Sequence, residues 1–309
     1  MIGRSSIRIA LVGAGLLVAL SPSVTTAHGH GSWGPAVAEA GINTTAAEGC
    51  PIESPSGRAL YFASNRAGSV GSPDPNDIWV ARRSKVSAPF GAAANLGVPV
   101  NSTSADFCPT PLPGRRLLFV SARPAPEACG VAPAGDIYLT RQTTKHGWLE
   151  PIHLGCDATG TGPNFPGAEF GPTLITTRQG TFLYFSSNGY GGDQDIYVSR
   201  RAHDGTFGKA TVVAELSTDF DDFMPNISPD GREIVFNSNR PGGFGGQDVY
   251  TAHRARTSDP WSTPTNVGPN VNTAGNETRS SLSSDGRRLH FGRDGDIYVS
   301  TRSWSWGHH

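Results

Sequence analysis

Five times along the chain an apolar strand runs into a Gly- or Pro-rich loop and then into an Asp that opens another strand. The copies read ALYFASNR…DIWVARR, LLFVSAR…DIYLTRQ, FLYFSSNG…DIYVSRR, IVFNSNR…DVYTAHR and LHFGRDG-DIYVSTR. The opening acids are Asp77, Asp136, Asp195, Asp248 and Asp296, separated by 59, 59, 53 and 48 residues. One such unit of short strands and turns cannot cover its own apolar faces. Several in sequence stack on one another, and the architecture that results is radial and all-β.

Aligned, each unit reads as four strands. The first lies in segments such as DDFMPNISPDG and ends in a Pro/Asp-Gly turn suited to a hairpin. The second ends near a Phe: Phe62, Phe119, Phe185, Phe236 or Phe291. The third starts at the repeated Asp and carries Trp79, Tyr138, Tyr197, Tyr250 or Tyr298. The fourth follows a short loop, and a copy comes after each of units one to four. After unit five only SWSWGHH remains, but WGPAVAEAGINT from Trp33 matches WSTPTNVGPNVNT from Trp261 with one residue deleted. The expectation is an all-β, five-bladed β-propeller over residues 32–309, with four-stranded blades. An N-terminal strand completes the C-terminal blade, closing the ring and protecting its edges.

The segment SPDGREIVFNSNRPGGFGGQDVY, with W-S-x-P…N-V-G…V-N-T after it, resembles the TolB-type (WD40-like) β-propeller repeat of exported bacterial proteins. The resemblance covers residues 32–309. It is sharpest in unit four and weakest in unit two, which has LPG for the Asp-Gly turn and an Ala- and Pro-rich insert. It implies a fold and an extracytoplasmic setting. It implies no single activity, because such repeats occur in binding scaffolds, peptidase accessory domains and some polysaccharide lyases.

The N-terminus agrees with export. Arg4 and Arg8 precede an apolar run from Ile9 to Leu20, and small residues lead to a cleavage point after Ala27. Residues 1–27 read as a signal peptide and 28–31 as a short tail. The apolar run is too short to span a bilayer, and no other stretch reads as a membrane span. The mature protein is expected in the periplasm or outside the cell, as a monomer. A net charge of −1 gives no electrostatic case for nucleic acid. Four cysteines in an oxidising compartment favour disulfides. Of the three pairings, Cys50–Cys108 is preferred because EGCP and DFCP hold the same repeat position, which leaves Cys129–Cys156.

Candidate chemistry is thinner. Glu48, Asp106, Glu169, Asp222 and Glu277 share one repeat position at the start of each innermost strand, where a ring would gather them at one channel mouth. Such acids bind a cation or sugar hydroxyls, serve as acid and base in glycoside cleavage, or fix loops by accepting backbone hydrogen bonds. Asp219 and Asp221 add to Asp222 in STDFDDF. Farther along the same strands stand Cys50, Cys108, Gly171, Met224 and Arg279. Arg279 either clamps an anionic group of a ligand or neutralises the acids. Cleavage after Ala27 leaves His28-Gly29-His30 as an amino-terminal segment able to hold Cu(II) or Ni(II), the dull alternative being a flexible tail. No nucleophile elbow or P-loop is present, and no cofactor is expected. The reading is an exported binding or interaction module for a protein or carbohydrate ligand. The alternative is a carbohydrate-active enzyme, a glycoside hydrolase or polysaccharide lyase, working at the channel mouth.

Overall fold

The computed structural model describes residues 31–71, 75–124, 129, 135–160 and 162–303. They form five antiparallel sheets arranged as the blades of a propeller. Blade one is Glu48–Glu53, Ala59–Ser64, Asp77–Arg82 and Ala94–Asn95. Blade two is Asp106–Leu112, Arg116–Ser121, Asp136–Thr143 and Ile152–His153, with Gly147–Trp148 folded back on its third strand. Blade three is Glu169–Thr177, Gly180–Ser187, Asp195–Arg200 and Thr211–Val212. Blade four is Asp222–Ile227, Glu233–Ser238, Asp248–His253 and Thr265–Asn266. Blade five takes Glu277–Leu282, Arg288–Arg293 and Asp296–Thr301 from one end of the chain and Val37–Ala38 from the other. The innermost strands neighbour one another in order, and that of blade five lies against that of blade one.

Closure uses the strand the repeat lacked. Val37 pairs with Val299 and Ala38 with Tyr298, as Thr265 and Asn266 pair with Thr251 and Tyr250 in blade four. Trp33 and Trp261 occupy equivalent buried sites. A guanidinium lies over each, Arg302 at 4.3 Å and Arg254 at 4.1 Å from the ring.

Blades stack face to face, so their middle strands are covered on both sides. Ala59–Ser64 and Glu233–Ser238 are buried at every residue. Phe62, Phe119, Phe185, Phe236 and Phe291 have no exposed surface. Four of them stack on the aromatic of the third strand with centroids 5.9–6.2 Å apart. Each buried Phe contributes about 1.5–3 kcal/mol through surface removed from water. The five recurring aromatics are therefore the repeat's cohesive core.

Each innermost strand breaks register at the same place, two to four residues after its first. The residue within the break is left-handed in every blade: Cys50 (φ 51°), Cys108 (46°), Gly171 (57°), Met224 (55°) and Arg279 (46°). A bulge of this kind re-aims one side chain, and here the five bulges are brought together around the channel. Cys50 and Cys108 meet there in a disulfide, and Cys129 joins Cys156, which are the pairings expected from the repeat. Among the described residues no helix is long and apolar enough to cross a membrane.

Candidate functional site

The start of each innermost strand carries the repeated acid, and in four blades its surroundings are alike. Glu48, Asp106, Asp222 and Glu277 are buried. Each accepts the backbone N–H and the hydroxyl of the residue four positions earlier, namely Thr44, Ser102, Thr218 or Thr273, at 2.6–3.0 Å. Each also pairs with an arginine at 2.5–2.9 Å: Arg66, Arg123, Arg240 or Arg293. Every one of these guanidiniums lies against the Phe and the aromatic of its own blade, 4.6–5.4 Å from the ring centroids. Each also donates to the carbonyl of Ile42, Val100, Leu216 or Val271 in the incoming loop. The four acids are thus bound to protein donors and pin the loop that enters each blade.

Blade three breaks the pattern twice. Gly189 stands where the arginine should be, and Phe165 where the hydroxyl residue should be. The Phe165 ring lies 4.7 Å from Tyr197 and 6.3 Å from Phe185, filling the place of the missing guanidinium. Glu169 is left with the Phe165 N–H at 3.2 Å and the Ser187 hydroxyl at 2.8 Å, both on Oε1. Oε2 receives no donor from any described residue. The nearest charge acting on it is the carboxylate of Asp136. Burial pushes Glu169 well above the usual carboxylate range, and the negative charge of Asp136 adds to it.

Asp136 is held in turn by His153, whose Nε2 lies 2.8 Å from its Oδ2. Gly155 N–H donates to His153 Nδ1 at 3.1 Å, which leaves Nε2–H to donate to the carboxylate. His153 stands where blades one and four carry Asn95 and Asn266, which donate to Asp77 and Asp248 at 2.6 and 2.9 Å. The chain Glu169, Asp136, His153 is therefore peculiar to the junction of blades two and three. Asp136 reaches solvent while Glu169 does not: their side chains are 14% and 0% exposed. Cys129, Cys156 and His153 also lie within 4.8 Å of one another, but the sulfurs are joined to each other. His28 and His30, the other metal candidates, lie outside the described residues.

Asp221 joins the neighbouring loops on the same rim. It accepts the Gln194 N–H at 3.0 Å and the Asn239 amide at 3.3 Å. Gln194 reaches back to the Ala168 carbonyl, next to Glu169. Asp193 and Asp219 are exposed alongside. Partial burial and then the charges of Asp222, Asp193 and Asp219 push Asp195 up, against a hydrogen bond from Ser217 that holds it down. The acid ring is therefore not uniform, and further exposed carboxylates lie beside blades three and four.

Arg279 lies apart from the acids. Its fully buried guanidinium crosses the channel to the Thr110 hydroxyl at 2.9 Å and the Pro109 carbonyl at 3.4 Å. Among the described residues no carboxylate pairs with it, and its Nε and Nη1 have no acceptor. Desolvation lowers its pKa to about 9. A Cβ on Gly171 would stand 2.4 Å from Nη1, so the missing side chain of blade three makes the room that this arginine fills. It plugs the channel.

The repeat marks Asp136 only as one of five equivalent strand-opening acids and does not mark His153 or Phe165, because a repeat shows what the blades share. The signal was in what blade three lacks: SSNG for SNR, and Phe after the Asn where other copies have Thr or Ser.

No protein-family model matches the chain, and no curated protein matches it in sequence. Solved structures do match in fold. An α-L-arabinofuranosidase from Lactobacillus brevis superposes with a TM-score of 0.55 at 11% identity, over 83% of this chain and 90% of that one. An α-L-arabinofuranosidase from Podospora anserina, solved with cellotriose, gives 0.53 at 12%, over 89% and 97%. An endo-arabinase from Bacteroides thetaiotaomicron gives 0.53 at 13%, over 89% and 99%. At such identity the likeness shows the five-bladed fold and does not single out TolB-type repeats. These neighbours nevertheless overturn the expectation of a binding or interaction module, since glycoside-cleaving propellers favour the enzymatic alternative.

Proposed function

We propose that this protein is a carbohydrate-active enzyme that hydrolyses a glycosidic bond at the acid-capped rim, beside blades two to four. We further propose that residues 1–27 export it, that the propeller of TolB-type repeats spans residues 32–309, and that it works as a monomer outside the cytoplasm. Two disulfides suit an oxidising compartment.

The observation that carries the reading is Glu169. Glycoside hydrolysis needs one carboxyl that keeps its proton near neutrality and a second carboxylate free to act as base or nucleophile. Five equivalent acids would not differ in this way if all served the fold alone. Glu169 differs because its cation and hydroxyl are gone and a carboxylate faces it. The proton held by Glu169 passes to the Asp136 carboxylate, which reaches solvent, and from there to the leaving oxygen. Asp193, Asp219 and Asp221 are the carboxylates of the adjoining loops from which the second group is drawn.

The test is release of reducing ends from arabinan, arabinoxylan, xylan and cello-oligosaccharides. Turnover is expected on one of them, falling about 10²- to 10⁴-fold in Glu169→Gln and Asp136→Asn with the folded circular-dichroism spectrum retained. No turnover across the panel, or turnover indifferent to both substitutions, would sink the assignment.

A further inference from the structure

The rim beside blades three and four carries three exposed aromatic rings: Tyr190 is 66% exposed, Phe220 40% and Phe244 49%. Each sits on a different loop, 188–194, 217–221 and 239–247, and the three loops meet at Asp221. Tyr190 is held in place, its hydroxyl donating to Asp157 at 3.2 Å and its ring edge-on to Phe165 at 5.6 Å. Exposed rings gathered on loops that meet mark a surface meant to be covered.

The charge of this surface is one-sided. The charged side chains on the three loops are Asp193, Asp219, Asp221 and Arg240, and Arg240 is bound to Asp222. Three carboxylates therefore share these loops with the rings, and no free cation does. Aromatic faces and carboxylates together favour a cation, the faces through the ring quadrupole and the carboxylates through charge.

We infer that this rim holds a chain of amino sugars bearing free ammonium groups, seated along Tyr190, Phe220 and Phe244 with its ammoniums on Asp193, Asp219 and Asp221. The inference rests on the carbohydrate reading above and narrows its substrate class. Flat pyranose units repeating along a stiff chain suit flat rings on successive loops, whereas a lysine-rich peptide would use the charge and leave the rings bare.

The experiment is calorimetric titration of the mature protein at mildly acidic pH with a glucosamine hexamer. The fully N-acetylated hexamer, cellohexaose and hexalysine serve as comparators. The charged glycan is expected to bind at least about tenfold more tightly than its neutral counterparts, a difference of about 1.4 kcal/mol. Salt should weaken it. Tyr190→Ala and Phe244→Ala should each cost about fivefold, and Asp219→Asn should flatten the salt dependence, all with the folded circular-dichroism spectrum retained.

Equal binding of the N-acetylated hexamer overturns the ammonium inference and leaves the carbohydrate reading standing. Hexalysine binding as tightly as the glycan overturns it too, since charge alone would then be read. Turnover on a neutral polysaccharide without binding of the glucosamine hexamer overturns this inference alone. Failure of every saccharide in both binding and turnover removes both.

Discussion

Glu169 shows how much one position can change while the backbone does not. In the other four blades the same acid is an anchor, neutralised by an arginine that is itself stacked on two rings. Replacing that arginine with glycine and the hydroxyl with Phe165 turns the anchor into a proton store. Because the folded pKa is raised, the folded chain holds a proton that the unfolded chain releases. Stability therefore falls as pH rises from the ordinary carboxylate range toward the folded value. While the difference lasts, the slope is about 1.4 kcal/mol per pH unit. Glu169→Gln keeps the shape and removes the titration, so its melting temperature should exceed that of the parent at neutral pH and converge with it in acid. Asp222→Asn should do the opposite. It leaves Arg240 without its carboxylate and costs about 3 kcal/mol, read from denaturant midpoints at neutral pH.

At the scale of the element, the innermost strand decides what faces the channel. Its bulge places residues with a Cβ in the left-handed region, at a cost of about 1–3 kcal/mol each, and aims them together. The repeat spacing showed that Cys50, Cys108, Gly171, Met224 and Arg279 are equivalent, but nothing in their types announces a bulge, since only one of the five is glycine. Its sequence position suits Arg279 to a ligand clamp or to a counter-charge for the acids. It reaches instead across the ring to blade two, a distance of about 170 residues in sequence that no local pattern encodes. A buried guanidinium without a carboxylate is a cost to folding. Arg279→Met fills a similar volume, and stability should stay level or rise by about 1–4 kcal/mol. A clear loss measured by chemical denaturation would mean that the plug is held by more than its two acceptors.

The whole molecule depends on joining its ends. Val37–Ala38 completes blade five, and Trp33 is buried with it. Trp33→Ala should cost about 3–5 kcal/mol and leave unfolding cooperative, followed by circular dichroism on heating. Were that strand dispensable, the substitution would be silent. Closure was legible in the sequence because the fourth strand is missing at one end and present at the other, and because WGPAVAEAGINT repeats a pattern seen elsewhere. The disulfides were legible for a related reason. Cys50 and Cys108 hold equivalent positions in adjacent blades, and equivalent positions of neighbouring innermost strands face one another across the channel.

From the sequence alone follow the five blades, their four strands, the closing strand, the cysteine pairing and the equivalence of the five acids. All are consequences of a period, because a repeated hydrophobic pattern determines repeated packing. The tertiary structure decided which acid is different. The distinction arises where blade three meets blade two and the carboxyl of Asp136, from one repeat, faces that of Glu169, from the next. A protonation state is set by burial and by neighbouring charge, and those neighbours come from different repeats. The same reason separates the rim's three exposed rings from the many buried ones: composition counts them alike, and only the meeting of loops at Asp221 leaves them uncovered.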